Sequence, residues 1–128
     1  MPGPRWFPEA AVPVLHAYLL ELFGGAGGLR DEGVLASALM RPQDLYAHEE
    51  AGTFRLAAAY ASGTVKNHPF VDGNKRTGLA VALTFLEKNG YRTELDEAEA
   101  VHMTVALAAS KVDEAGFAQW LEDNSAAV

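Results

Sequence analysis

The run "TGLAVALTFL", residues 77–86, carries no charged side chain, and its reading decides the fold. A helix that is apolar on every side belongs among other helices. The run is too short to cross a bilayer, which takes about 20 apolar residues. "NG" at residues 89–90 closes the segment with a helix stop. The run therefore predicts a buried central helix that begins near Asn74, around which the rest of the chain packs.

The flanking sequence supplies the partners. Pro8 can open a first helix, with Val12, Leu15, Leu19, Leu22 and Phe23 on one buried face and "GGAGG" (24–28) as its end. A second helix is expected from Asp31 to Met40, ended by Pro42 and followed by a loop through His48 and Glu50. Phe54, Ala57, Ala58, Ala61 and Val65 mark a third, whose alanines permit close approach. Asp96 with Glu99 resembles a capping box and starts a fifth, with Val101, Val105 and Ala108 inside. Asp113 starts a last short helix carrying Phe117, Trp120 and Leu121. Tyr91 to Leu95 is the single strand candidate. The expected architecture is all-α: one domain, residues 1–128, a compact helical bundle around the central helix.

Composition narrows the function. The chain has 128 residues, 17 acids, 10 bases and a net charge of −7, with no basic stripe. General binding to nucleic acid or to an anionic membrane is not expected. There are no cysteines, so disulfide and thiolate chemistry are excluded. The N-terminus lacks a signal-peptide pattern, and a cytoplasmic domain is the default expectation.

Against this acidic background, "HPFVDGNKRTG" (68–78) places Lys75 and Arg76 in the first turn of the central helix. The helix dipole is positive there and carboxylates are preferred. A bound polyphosphate resolves the conflict, because free N–H groups and the dipole already favour an anion at such a terminus. Gly73 lets neighbouring N–H groups converge into an anion nest. Arg76 can bind phosphate oxygens in pairs, and Lys75 adds a point charge. Asp72 can hold a magnesium ion that phosphates also ligate. His68 can accept the proton of a hydroxyl nucleophile. Each residue has a plainer reading: His68 as a loop histidine, Asp72 as a helix cap, Asp72-Gly73 as a turn, Lys75 as a solvated side chain. The plain readings together leave the two cations uncompensated, whereas phosphoryl or nucleotidyl transfer uses all of them. "GGAGG" follows a helix rather than a strand and reads as a loop. His16, His48 and His102 lack paired metal spacing and read as structural or exposed.

The motif resembles the active-site signature of the Fic/Doc superfamily, specifically its Doc (death-on-curing) branch. "GLRDEGVLASALMRPQ" (28–43) and "FLEKNGY" (85–91) also look like Doc-family segments at the expected distances. The resemblance spans nearly the whole chain and implies the Fic/Doc fold. Fic proteins carry His-Pro-Phe, a variable residue, Asp or Glu, then Gly-Asn-Gly-Arg and a second arginine three positions later, and typically transfer AMP to a protein hydroxyl. Here Lys75 replaces the second glycine and Leu79 the second arginine, as in Doc. Pro69 and Gly73 keep the Fic form. The Doc resemblance implies a toxin that is an ATP-dependent protein kinase, moving the terminal phosphate of ATP to a threonine of elongation factor Tu and halting translation. It implies His68 as base, Asp72 as Mg2+ ligand, Gly73 and Asn74 as the nest, Lys75 and Arg76 as phosphate holders, and Lys66 as a further nucleotide contact. It also implies an antitoxin, partly disordered, that folds onto the toxin near its first helices. The self-inhibitory pattern of some Fic proteins is approached only at residues 93–98 and 110–115, both with alanine at the last position. A Fic-like AMP transferase and a catalytically silent partner-binding module are the alternative readings.

Overall fold

The computed structural model describes residues 3–128. Six helices follow in order: α1 Ala11–Phe23, α2 Glu32–Glu49, α3 Thr53–Asn67, α4 Asn74–Lys88, α5 Glu97–Ala108 and α6 Glu114–Asp123. The only sheet among the described residues pairs β1 Tyr91–Thr93 antiparallel with β2 Ser125–Ala127. The chain is therefore an all-α bundle, as the sequence predicts.

Two helices rather than one form its centre. In α3 every residue from Leu56 to Val65 is buried. It packs on α4, α2, α6 and α5, while α1 packs on α4. Small residues make this possible. A Cβ added at Gly78 of α4 would lie 3.1 Å from the Ala61 carbonyl oxygen and 3.0 Å from a Val65 methyl. A Cβ at Gly63 of α3 would come within 3.2 Å of the Ala38 backbone in α2. The apolar core of α4 is Val81, Ala82, Phe85 and Leu86, all fully buried. Tyr60 and Trp6 pack their rings against Phe85.

Helix starts follow their caps. Asp31, Asp96 and Asp113 each accept from a backbone N–H three residues on, at Val34, Glu99 and Gly116. The capping box at Asp96 is only half formed, because the Glu99 carboxylate accepts from the Trp120 indole instead. Asn89 and Gly90, the latter at φ +93, end α4 as expected.

Four expectations are corrected. Helix α2 runs through Pro42 to Glu49, so His48 is helical and not in a loop. Pro42 is buried with Leu35, Ala38 and Leu39 on one face of α2, and that packing offsets the cost of about 3 kcal/mol that a helical proline carries. In α1 the buried residues are Val12 and His16, whereas Leu22 and Phe23 are exposed. In α5 Val101 and Val105 face solvent, and Ala100, Thr104 and Leu107 are buried. The two stripes are offset by one residue. The Thr104 hydroxyl donates to the Ala100 carbonyl and so can be buried among small side chains. Strand β2 has no counterpart in the sequence reading, since Ser-Ala-Ala has little strand propensity. It forms because β1 offers an edge, in the register Tyr91 to Ala127 and Thr93 to Ser125.

No helix among the described residues is long and apolar enough to cross a membrane.

The α3–α4 contact at Gly78 sets the position of the helix that carries the candidate site. Gly78→Ala should lower unfolding free energy by about 1–3 kcal/mol, since the methyl group meets backbone that cannot move aside. Urea denaturation checks this, and an unchanged midpoint would contradict the packing.

Candidate active site

The residues of the 68–78 motif occupy the turn from α3 into α4. α3 ends at Asn67, and His68 is its C-cap, left-handed at φ 49 and ψ 60. A non-glycine residue in that region costs about 1 kcal/mol or more, so other contacts must hold it. Pro69 and Phe70 are buried, and residues 71–72 return to the surface. Gly73 is left-handed at φ 78 and caps the start of α4. It is glycine for two reasons: its φ, and the approach of Leu20 and His16, which a Cβ would meet at 3.3 and 3.5 Å.

Asn74 closes the loop. Its side-chain oxygen accepts from the Phe70 N–H at 3.0 Å, and its side-chain nitrogen donates to the Phe70 carbonyl at 3.0 Å. The same nitrogen lies 3.5 Å from His68 Nδ1, at the outer limit of a hydrogen bond. Asn74 is 6% exposed. Its side chain therefore serves the loop, and only its backbone N–H is left for an anion.

That N–H belongs to a free set. Helix α4 has no side-chain cap, and the N–H groups of Asn74, Lys75 and Arg76 donate to no loop carbonyl. The plainer reading of Asp72 as the cap of this helix does not hold: its Oδ1 accepts from the Gly73 N–H at 2.8 Å, and its Oδ2 from the Ala26 N–H at 3.3 Å. The Gly73 N–H chiefly, then the Ala26 N–H and the nearby Arg76 and His16, hold the Asp72 carboxyl below the usual aspartate range. It is exposed and ionised at neutral pH. Each oxygen keeps lone-pair capacity for a cation.

Lys75 and Arg76 are both exposed, and neither makes an ion pair among the described residues. The Arg76 guanidinium sits 4.3 Å from the centre of the Phe23 ring, which explains why α1 leaves that ring at the surface. Thus the wrong-signed helix start of the sequence is present in the structure. Lys66 lies in the last turn of α3, exposed, and has no hydrogen bond or ion pair with the loop. His68 is exposed, and among the described residues the Asn74 side chain is the only one within hydrogen-bond reach of its ring nitrogens.

Three supporting features escape the sequence reading. His16 is buried, stacks flat on Phe70 with ring centres 3.7 Å apart, and lies 2.7 Å through Nε2 from the Asp72 carbonyl oxygen. "GGAGG" is more than a connector: Ala26 holds Asp72, and a Cβ at Gly25 would meet Asp72 Oδ2 at 2.8 Å. The segment after it pairs with the motif loop through an isolated antiparallel bridge between Leu29 and Phe70. No local pattern encodes these long-range contacts. The approaches to the self-inhibitory pattern are not helices bearing that order. Thr93 lies in β1, and Glu114 is engaged by Arg41 at 2.6 Å.

Comparison with known proteins agrees with the family resemblance of the sequence. The sequence model of the Fic/DOC family matches residues 6–86. Protein kinase doc of Escherichia phage P1 is 34% identical over 115 residues, covering 89% of this chain and 90% of that protein. Toxin Doc of Mycolicibacterium smegmatis is 42% identical over 76 residues, covering 58% of each.

Two outcomes follow from the geometry. Asn74→Ala leaves the Phe70 peptide without its buried partners and should cost about 1–3 kcal/mol of stability, measured by thermal or urea unfolding. The Asp72 carboxyl should titrate with a midpoint below the ordinary value of about 3.9. Its folded form is favoured as the carboxylate, so its contribution is present above the unfolded value and lost as pH falls through the lowered folded one. Carboxyl-carbon NMR reads this midpoint, and a value at or above the ordinary one contradicts the two N–H contacts.

Proposed function

The chain belongs to the Fic/DOC family, and on that premise we propose that it is a Doc-like toxin and an ATP-dependent protein kinase. It moves the terminal phosphate of ATP to a threonine or serine hydroxyl of a translation factor, elongation factor Tu first among them, and arrests translation in the cytoplasm. The observation that carries this reading is the uncompensated positive start of α4: three free N–H groups with Lys75 and Arg76 beside them and, among the described residues, no ion pair. A chain of net charge −7 that keeps such a feature has a use for it.

In the reaction the target hydroxyl oxygen bonds to the terminal phosphorus as the bond to the bridging oxygen breaks. The hydroxyl proton passes to a ring nitrogen of His68, and ADP leaves. Lys75, Arg76 and the N–H groups of residues 74–76 hold the phosphates and neutralise charge that develops on their oxygens. Arg76 can exchange the Phe23 ring for phosphate at a loss of about 0.5–1 kcal/mol. Asp72 would hold Mg2+ together with the nucleotide. The fit is to a shared ion: the carboxylate is ionised and single, and no group of three or more metal-binding side chains occurs among the described residues. When bound, the ion screens the phosphate oxygens.

Transfer of AMP is the second reading, and Pro69 and Gly73, which keep the Fic form, favour it. Leu79 weighs against it, being half-buried on the core where Fic proteins have a second arginine. An antitoxin that folds onto the chain would find apolar surface at Val14, Tyr18 and Leu22 of α1.

Incubation with ATP, Mg2+ and elongation factor Tu, followed by intact-mass spectrometry, tests the proposal. A target heavier by one phosphate is expected, with His68→Ala slowing transfer by about 10²–10⁴-fold. A target heavier by AMP selects the second reading, and an unmodified target with no nucleotide bound refutes both.

A further inference from the structure

The exposed His68 must be held by something other than burial. Its left-handed backbone is set by two peptide planes, one on each side of its Cα, since the peptide units themselves are rigid. The carbonyl of Asn67 belongs to the first plane, and the carbonyl of His68 to the second. A single side chain from a distant segment grips both. Arg30 donates from Nη2 to the Asn67 oxygen at 2.8 Å and from Nε to the His68 oxygen at 2.6 Å. Its own backbone N–H donates to the next carbonyl, that of Pro69, at 2.7 Å. Three successive carbonyls thus end on one residue.

The chemistry suits arginine in particular. The last carbonyls of a helix have no partner within it, and the dipole there is negative, so a cation is favoured. A planar guanidinium presents donors in a fixed fork and can hold two oxygens in one geometry, which an ammonium on a flexible stem cannot. Arg30 is itself anchored at the loop between α1 and α2, where Leu29 bridges to Phe70. No carboxylate competes for the Arg30 guanidinium, which makes no ion pair among the described residues.

We propose that Arg30 is a positioning residue: by pinning the peptide planes on both sides of His68 it fixes φ and ψ there, and so aims the imidazole at the reacting hydroxyl. The structural half of this statement stands alone. The kinetic half rests on the transfer reading proposed above.

The experiment uses the full chain and the variants Arg30→Ala and Arg30→Lys. Backbone 15N relaxation should show the His68 amide falling from a rigid order parameter of about 0.85 to below about 0.6 in both variants. Lysine keeps the charge and should not restore the rigidity. With ATP, Mg2+ and elongation factor Tu, kcat should fall about 10–100-fold while KM for ATP is unchanged, the signature of a misaimed base. A His68 amide that stays rigid in Arg30→Ala overturns the proposal, and so does a loosened His68 with unaltered kcat. If Arg30→Ala does not fold, Arg30→Lys decides by the same two readings. If the wild-type chain transfers nothing yet His68 loosens in the variants, Arg30 keeps its structural role and the transfer reading fails instead.

Discussion

The clasp between the Asn74 carboxamide and the Phe70 peptide is the contact on which the rest depends. It is buried, reciprocal and joins the first residue of α4 to the middle of the preceding loop. Because Phe70 is sunk in the core and stacked on His16, the clasp fixes the loop at its centre. His68 and Asp72 then stand on either side of Phe70, two residues away in each direction. Their separation is a property of a short, closed loop and needs no further adjustment. The two ends are held independently. Arg30 grips the His68 side, and the Ala26 N–H with the His16 ring holds the Asp72 side.

Electrostatics gives this scaffold its direction. A helix start with two cations and no acidic residue in its first turn is unfavourable in isolation. The one carboxylate at hand, Asp72, turns to backbone N–H groups of residues 26 and 73 and makes no ion pair with Arg76. Among the described residues Arg76 finds only the face of an aromatic ring. Stability alone would select against this arrangement. A bound polyanion would remove the conflict, as the proposed function requires.

Much of this is legible in the sequence, and the reasons are physical. The uncharged run at 77–86, the alanine-rich face of α3 and the aspartate caps at residues 31, 96 and 113 act locally, so spacing and residue type reveal them. The same holds for the compact motif loop. What local reading misses is decided by distant partners. Pro42 reads as a stop because its missing N–H is a local fact, whereas the α3 face that keeps α2 helical is not. Val101 and Val105 read as core because valine is more apolar than Ala100 or Thr104, yet close approach favours the smaller pair. Phe23 reads as core and instead supports Arg76. His16, Ala26 and Arg30 lie 37 or more residues before the groups they hold, and nothing in their neighbourhood announces a role.

The central claim is that the free N–H groups opening α4 receive nucleotide phosphate. Titrating the 15N-labelled chain with ATP and Mg2+ and following the backbone amides tests it most directly. The account predicts that the amides of Asn74, Lys75 and Arg76 shift the most and saturate together. Unmoved amides at those three positions, with the shifts gathered elsewhere on the surface, would contradict it.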